Sequence, residues 1–440
     1  MRLERAALGL MAALAAAIPV SIFAAEILLA LALLVFAARL LAHRTRLVPT
    51  PLDTPLLALV VWTLLAASFA ADPVRSHEDA KKLVLFALFY LGVEVLSRSA
   101  PRERVLSAVL LGGLALATLT VVQHHFLGFD QLNRRPHGFL GHYMSAAGVT
   151  MGVFLLSVAR LVFGERVAPR PRDAWLPAIV LAAVGAVAIC EEAGHGRLAT
   201  HLFVAGLVLL AASVALAQGQ AARNAEAVLP IAVAPVAAWA LVVSQTRSAW
   251  IGALVGLAAI AVLRAPRLLF LLGGAVVVVL LLRPSVVTER LTLGDASSID
   301  RYYMWQAGID MVLDRPVFGQ GPGMILARYP QYRWPEARNP GQPHLHNNPL
   351  QIAAERGLPG LAFFLWWAAS LLAAALVEAR KARAGRFGSG WAAVGTLAAL
   401  AAVFVAGLFE YNLGDSEVLM LALLLTAVPF ALERERAATA

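Results

Sequence analysis

The sequence predicts an all-α polytopic membrane protein of about twelve spans (twelve to fourteen) with one large helical external loop. Three observations predict it. Of the 440 residues, 60% are hydrophobic and only 14% charged, which excludes a soluble globular chain. Apolar runs of roughly 16 to 22 residues, each close to the length that crosses a bilayer, recur almost end to end. A single long hydrophilic interval, about 283–357, interrupts them late in the chain. The net charge of +9 is spread over short loops between apolar runs, so it is not a nucleic-acid signature and no such partner is expected.

Taken in order, the apolar runs lie at about 6–23, 25–41, 54–70, 82–97, 105–122, 142–163, 174–193, 198–217, 229–245, 249–263, 267–282, 358–378, 391–408 and 416–432. Arg2 and Arg5 before the first run look like a cleavable leader, but Glu26 and a second run follow at once. A retained hairpin of two spans is therefore expected. Several runs fall short of the ~20 residues a ~30 Å hydrocarbon layer requires, so twelve true spans would accommodate the pattern. Arg39, Arg44 and Arg46, then Arg98, Arg102 and Arg104, then Arg166, Arg170 and Arg172 all fall on one side, joined by Arg223, Arg264, Arg267 and the Arg380–Arg386 cluster. The positive-inside rule makes that side cytoplasmic, together with both termini. The opposite face carries 71–81, 123–141, 194–197, 246–248, the long loop and 409–415. The chain divides into a transmembrane bundle at 1–282, an external catalytic loop at 283–357 and terminal transmembrane helices at 358–440. The lone Cys190 can form no internal disulfide and says nothing of compartment.

Within the long loop, Ser297 or Ser298 is expected to cap a helix running to about Leu313, with Ile299, Tyr302, Trp305, Ile309, Val312 and Leu313 on one apolar stripe. Arg315-Pro316 and Gly319-Gln320-Gly321-Pro322-Gly323 end it, and a short helix follows at about 324–331. At the loop's end, Asn348 is placed to cap a further helix, Pro349 suits its first position, and Gly357 with Pro359 closes it. His346 precedes that cap, which holds its imidazole at a helix N-terminus beside the membrane.

Chemistry-bearing groups cluster on this outer face. All eight basic residues of the loop are Arg (283, 290, 301, 315, 328, 333, 338 and 356), whose planar fork grips phosphate bidentately where Lys is only a point charge. A general preference of this chain for Arg would produce the same bias. Arg247 in SQTRSAWIG and Arg197 in GHGRLAT stand at the outer ends of apolar runs among small residues, where an ionisable group marks a site or simply snorkels to the interface. Lys81 and Lys82, at the outer start of a span, suit an anionic headgroup or plain anchoring. His137, His142 and Tyr143 lie in another outer segment, RRPHGFLGHYMS. Tyr303, with its aromatic neighbours Tyr302, Trp305, Tyr329, Tyr332 and Trp334, suits stacking on sugar rings. Metal and nucleophile signatures are weak. His344 and His346 form an i, i+2 pair with no evident third ligand, and G-x-S-x-G, H-E-x-x-H and P-loop patterns are missing. No cofactor and no metal is expected. His344 is expected to be a binding group of smaller weight that points away from His346.

TRSAWIG at 246–252, R-x-x-x-W at Arg301–Trp305, DRPVFGQGPG at 314–323 and HNNPLQIAAERGLPG at 346–360 resemble, in order, the motifs of the O-antigen ligase/polymerase superfamily, and the O-antigen ligases in particular. The resemblance covers most of the chain and is sharpest at 298–360. It implies a class-C-type glycosyltransferase-like membrane fold, usually of twelve spans. It also implies transfer of a glycan from undecaprenyl pyrophosphate to a sugar hydroxyl of lipid A-core, in lipopolysaccharide biosynthesis. The partners it implies are the lipid-linked donor, the lipid A-core acceptor and membrane lipids. The implied location is the bacterial inner membrane, with the site on the periplasmic face. By the same resemblance His346 matches the essential histidine, taken as general base, and Arg247 the membrane-edge arginine. Arg197 and Arg301 match less sharply, and Lys81, His344, Tyr303 and Arg328 complete the expected binding set. An imidazole, with an ordinary pKa near ~6.5, can take a proton from an acceptor hydroxyl near neutrality. The alternative of a polymerase, with a second lipid-linked glycan as acceptor, stays open. A transporter is disfavoured, because the ionisable groups gather at one face rather than at the bilayer midplane.

Overall fold

The computed structural model describes residues 2–43, 45–131, 134–164, 171–192, 196–217, 220–282, 296–383 and 390–439, and among them no strand occurs. The helices are α1 (Arg2–Ala17), α2 (Ile22–Leu41), α3 (Asp53–Ser68), α4 (Pro73–Ala80), α5 (Ala87–Leu96), α6 (Ser99–Phe126), α7 (Tyr143–Phe163), α8 (Trp175–Glu192) and α9 (Gly196–Leu216). They continue with α10 (Gln220–Val243), α11 (Arg247–Arg264), α12 (Leu268–Leu282), α13 (Ala296–Asp314), α14 (Ile325–Tyr332), α15 (Asn348–Arg383), α16 (Gly390–Ala406) and α17 (Ser416–Thr439). Each of the fourteen apolar runs coincides with a helix, and among the described residues eight helices (α2, α6, α7, α9, α10, α11, α15, α17) are long and apolar enough to cross a membrane. Four shorter apolar helices, α3, α8, α12 and α16, accompany them. The protein is an all-helical polytopic membrane protein.

Burial follows from sequence along each helix. In α1 the run Met11–Ala17 is almost wholly buried, because its small alanines let α2, α6 and α9 close in around it. Helix α6 is the axis of the bundle, with 17 buried residues. At the periphery α12 touches α11 and buries nothing, consistent with its uniform Leu/Val surface facing lipid. Buried charges at one end of the bundle are tied into pairs. Arg39 grips Glu94 with two nitrogens at 2.6 and 2.8 Å, Arg102 meets Glu435 at 2.9 Å, and Arg436 meets Glu378.

At the other end α13 and α14 form a cap with its own small core of Met304, Ala307, Met311, Ile325, Tyr329, Leu345 and Ala354. The helix boundaries match expectation to within a residue or two, but the buried face of α13 does not. Ile299, Tyr302, Ile309 and Leu313 are exposed, and the smaller, more flexible side of the helix turns inward. Gly308 explains the choice, since a Cβ there would lie 2.8 Å from Leu345 and 2.9 Å from Leu350. Only a face this small lets the chain before α15 pass so closely, while Trp305 reaches across to donate to the Leu345 carbonyl at 3.0 Å. The bulky stripe is thereby left outward. The expected caps at Ser297 and Ser298, and Arg283 and Arg290, lie outside the described side chains.

Candidate active site

The DRPVFGQGPG turn seats the cap on the bundle. Phe318 stacks on Trp62 and Phe69, with ring centroids 5.3 and 4.3 Å away. Backbone bonds from Gln320 to Ala354, Gly321 to Glu355 and Leu358 to the Pro316 carbonyl (2.8–2.9 Å) zip the turn to the start of α15. Gly357 is the hinge between α15's first turns and its long apolar part. It leaves helical geometry there (φ 70°, ψ −179°), and a side chain would collide with the Val317 carbonyl. The sequence placed the break correctly, though the helix restarts beyond it rather than ending.

The HNN string then has a clear physical meaning. Asn347, not Asn348, caps α15: its Oδ1 accepts from the Leu350 N–H at 2.8 Å. Asn348 turns away to the 407–413 loop, donating to Asn412 Oδ1 at 2.7 Å, while its backbone N–H donates to the Gly407 carbonyl at 2.7 Å. Asn347 Nδ2 donates to the Leu408 carbonyl at 2.9 Å. The two asparagines thus clamp the loop between α16 and α17 against His346, and that loop delivers Glu410.

His346 Nδ1 lies 2.8 Å from Glu410 Oε1. An ionised carboxylate only accepts, so Nδ1 carries the proton; when the ring is neutral, Nε2 keeps its lone pair. The same Glu410 oxygen accepts the Tyr411 N–H at 3.1 Å, and Arg301 Nη2 stands 3.7 Å from the other oxygen. Burial, at 5% exposure, would push the Glu410 carboxyl up. The hydrogen bond from His346 and the charges of His346, His344 and Arg301 outweigh it and hold the carboxyl below its ordinary value. His346 holds φ at 49°, a left-handed conformation uncommon for a residue with a side chain, and Gln245, two residues before Arg247, holds 51°. Non-glycine residues rarely keep such geometry unless the surrounding structure fixes them, and sites are where they gather.

The structure brings some expected residues together and separates others. His344 and His346 do not diverge: residues i and i+2 of an extended segment share a face, and their rings meet edge to face at 4.2 Å. His344 Nδ1 is 3.9 Å from Glu410 Oε1 and buried without a hydrogen-bond partner. Burial first, then the neighbouring His346, pushes its pKa down to about 4. Arg301 belongs to the site through Glu410. Arg247 opens α11 behind the buried Ser244-Gln245-Thr246 turn, to which Arg135 reaches by donating to the Gln245 carbonyl at 3.5 Å. Arg135 also covers the Tyr143 ring at 3.8 Å. His142 caps α7, and its pKa is lowered by burial, against Glu410 and with help from Arg135 and His346, which ties this segment to the dyad.

Arg328 does not reach this centre. It serves the cap, donating to Gln320 Oε1 at 3.0 Å beside Tyr332, whose hydroxyl in turn donates to Asp314 at 2.6 Å. Tyr303 likewise stays on the cap, 6.4 Å from Trp334. Lys81 is exposed; Lys82, also exposed, lines a cleft open on one side, together with Thr63, Asp79, Arg356 and Tyr411. The rest of that cleft is apolar, walled by residues such as Leu59, Phe86, Phe364, Trp367 and Leu419. Arg356 is held by Glu355 at 2.7 Å and Thr63 at 3.2 Å. Arg197 is the second residue of α9, and its side chain lies outside the described ones.

Glu410 is what sequence reasoning missed. It also supplies the third ligand that the His344/His346 pair lacked, since one possible ligand atom from each residue lies within 4.8 Å of the others. The Arg301 guanidinium beside Glu410 already compensates the carboxylate, which works against a cation there. The one available signal was an acidic residue at the outer end of an apolar run.

Residues 232–365 match the family model for O-antigen ligase, and no curated protein matches the chain. The matched stretch takes in Arg247, the cap and the His346 turn, and stops short of Glu410. On that match the chain carries an O-antigen ligase domain, as a member of the O-antigen ligase/polymerase superfamily does.

Proposed function

We infer that the protein is a metal-independent, inverting membrane glycosyltransferase, and that it is a ligase joining a glycan from undecaprenyl pyrophosphate to a sugar hydroxyl of lipid A-core. The observation that carries this reading is the His346–Glu410 pair, at 2.8 Å, at the outer edge of the O-antigen ligase domain. Glu410 orients the ring and stabilises the imidazolium, and Nε2 takes the proton of the acceptor hydroxyl. The hydroxyl oxygen forms the bond to the anomeric carbon as the bond to the pyrophosphate oxygen breaks, so single displacement inverts that centre. Arg247 and Arg301 offset the charge that develops on the departing pyrophosphate, each worth ~3 kcal/mol in favourable geometry. The apolar cleft closed by Lys82 and Arg356 suits the donor's lipid chain, with Lys82 in the role first given to Lys81. The inner membrane, with the site facing the periplasm, is the location this reading requires.

The test is incubation of purified protein with an undecaprenyl-pyrophosphate glycan and either lipid A-core or a second donor molecule. Sugar gained by lipid A-core supports the ligase; sugar gained only by the second donor makes the protein a polymerase with the same centre. Chelation with EDTA is expected to leave turnover unchanged. Loss of activity restored by a divalent ion would instead turn His344, His346 and Glu410 into metal ligands.

A further inference from the structure

At the end of the bundle opposite His346, five segments leave a second, open cleft, lined by Arg5 of α1, Arg39 of α2, Glu94 of α5, Arg98 and Arg104 at the start of α6, and Leu216 of α9. Glu4 also lines it, 3.7 Å from Arg98. Four guanidinium groups therefore face two carboxylates; Arg39 holds Glu94 in a two-pronged bond, Arg104 donates to the Ala215 carbonyl at 2.7 Å, and the cleft keeps a surplus of positive charge. Two further features mark the cleft as more than a solvated basic surface. Arg39 is only 5% exposed, and its Nε–H is buried with no hydrogen-bond partner among the described residues. The N-terminus of α6, a helix of 28 residues, opens beside it at Arg98 with no side-chain cap. A buried donor without an acceptor and an uncapped helix start both call for an anion.

We propose that this cleft binds an anionic phosphate group, either the headgroup of a membrane lipid or a free phosphate. Arg5 and Arg98, exposed at the mouth, supply the first attraction; Arg39, with its unpartnered Nε–H, and the uncapped start of α6 lie within. The surroundings favour the lipid source. Leu41 and Leu216 are 82% and 42% exposed beside the cleft, and Phe23, Ile27 and Leu34 extend the same apolar surface along α2. Acyl chains leaving the cleft would lie on that surface. This is also the arginine-rich side, where anionic headgroups concentrate around basic residues.

Native mass spectrometry of the full-length protein in detergent would test the proposal, with phosphatidylglycerol, phosphatidylcholine and inorganic phosphate as probes. One phosphatidylglycerol is expected to be retained in preference to phosphatidylcholine. Arg5→Ala with Arg98→Ala should weaken its binding by about tenfold or more. Arg264→Ala with Arg267→Ala, removing equal charge from exposed positions on the same side, should leave binding unchanged. All four side chains are exposed, so unchanged melting of both double variants without lipid separates binding from folding. Displacement of the lipid by millimolar inorganic phosphate would assign the site to free phosphate; persistence against it would assign the site to the lipid. Equal retention by wild type and the Arg5/Arg98 variant, or an equal loss in the Arg264/Arg267 variant, would overturn the proposal.

Discussion

Arg39 and His346 lie at opposite ends of the bundle, and each sits beside a carboxylate that is nearly buried. At Glu94 each oxygen takes one guanidinium nitrogen, at 2.6 and 2.8 Å. At Glu410 one oxygen takes both the His346 ring and the Tyr411 N–H, while the other is buried with no hydrogen bond and only a distant arginine. His344 Nδ1 beside it is buried without a partner as well. The first carboxylate is spent on joining helices; the second keeps an unused oxygen beside the His346 ring. Native structures satisfy their buried polar groups almost everywhere, so the unsatisfied ones point to where work is done.

The sharpest break of this contrast is His346→Ala, expected to slow the chemical step by about 10²–10⁴-fold with donor binding kept. The pH-rate profile should lose its rising limb near neutrality. Weak donor binding with an unchanged pH profile would make His346 a pyrophosphate ligand instead. The base would then have to be sought among carboxylates such as Glu336 and Glu355; of these Glu355 is 2% exposed and engaged by Arg356, Gln351 and the Gly323 N–H, which fits a clamp on the cap rather than a base. Arg247→Ala should follow with a loss of about 10²–10³-fold, and Arg247→Lys should recover little, because a point charge does not replace a fork. Near-native turnover in the Lys variant would reduce Arg247 to a generic positive charge.

Glu410→Gln is expected to cost about 10- to 10²-fold and to move the rising limb of the pH profile to lower pH, since the imidazolium loses its carboxylate. Glu94→Gln at the other end should lower the melting temperature and leave turnover of the folded protein alone. If Glu410→Gln behaved like Glu94→Gln, with the pH midpoint fixed, Glu410 would be structural.

Much of this molecule was legible from residue order, and the losses have identifiable causes. The apolar runs mapped onto helices because a span needs only length and hydropathy, both local properties. The break at Gly357 was readable for the same reason, since Gly and Pro act on their own backbone. The face of α13 was not, because its orientation is decided by the chain passing Gly308 from some 40 residues later. Asn347 and Asn348 were exchanged, because either can cap and only the 407–413 loop decides which is drawn away. Glu410 stayed hidden because it pairs with a residue 64 positions earlier, and its place at the end of an apolar run does not name that partner.

The smallest expected effect tests whether the Glu410 end is the acid-sensitive one. His344 is pushed by burial from 6.5 to about 4 in the folded protein. The folded state therefore prefers the neutral ring, and the resulting stability is fully present above about 6.5 and is lost as pH falls through about 4. Asp415, buried and raised from 3.8 to about 6 despite its bond from Ser145, works in the opposite sense, stabilising below about 4 and losing that contribution as pH rises through about 6. The two partly cancel in the wild type, so the comparison must be made against a variant. His344→Phe keeps an aromatic ring against His346 and removes the titration. Between pH 6.5 and 4 its melting temperature should fall less steeply than that of the wild type, with the curves parallel above 6.5. Glu410, whose carboxyl is held below its ordinary 4.5 by the partners it would lose on unfolding, adds its own loss only as pH falls below about 4.5, in both proteins. Parallel curves throughout would mean that His344 is hydrated in the folded protein and that Glu410 alone carries the acid sensitivity of this end.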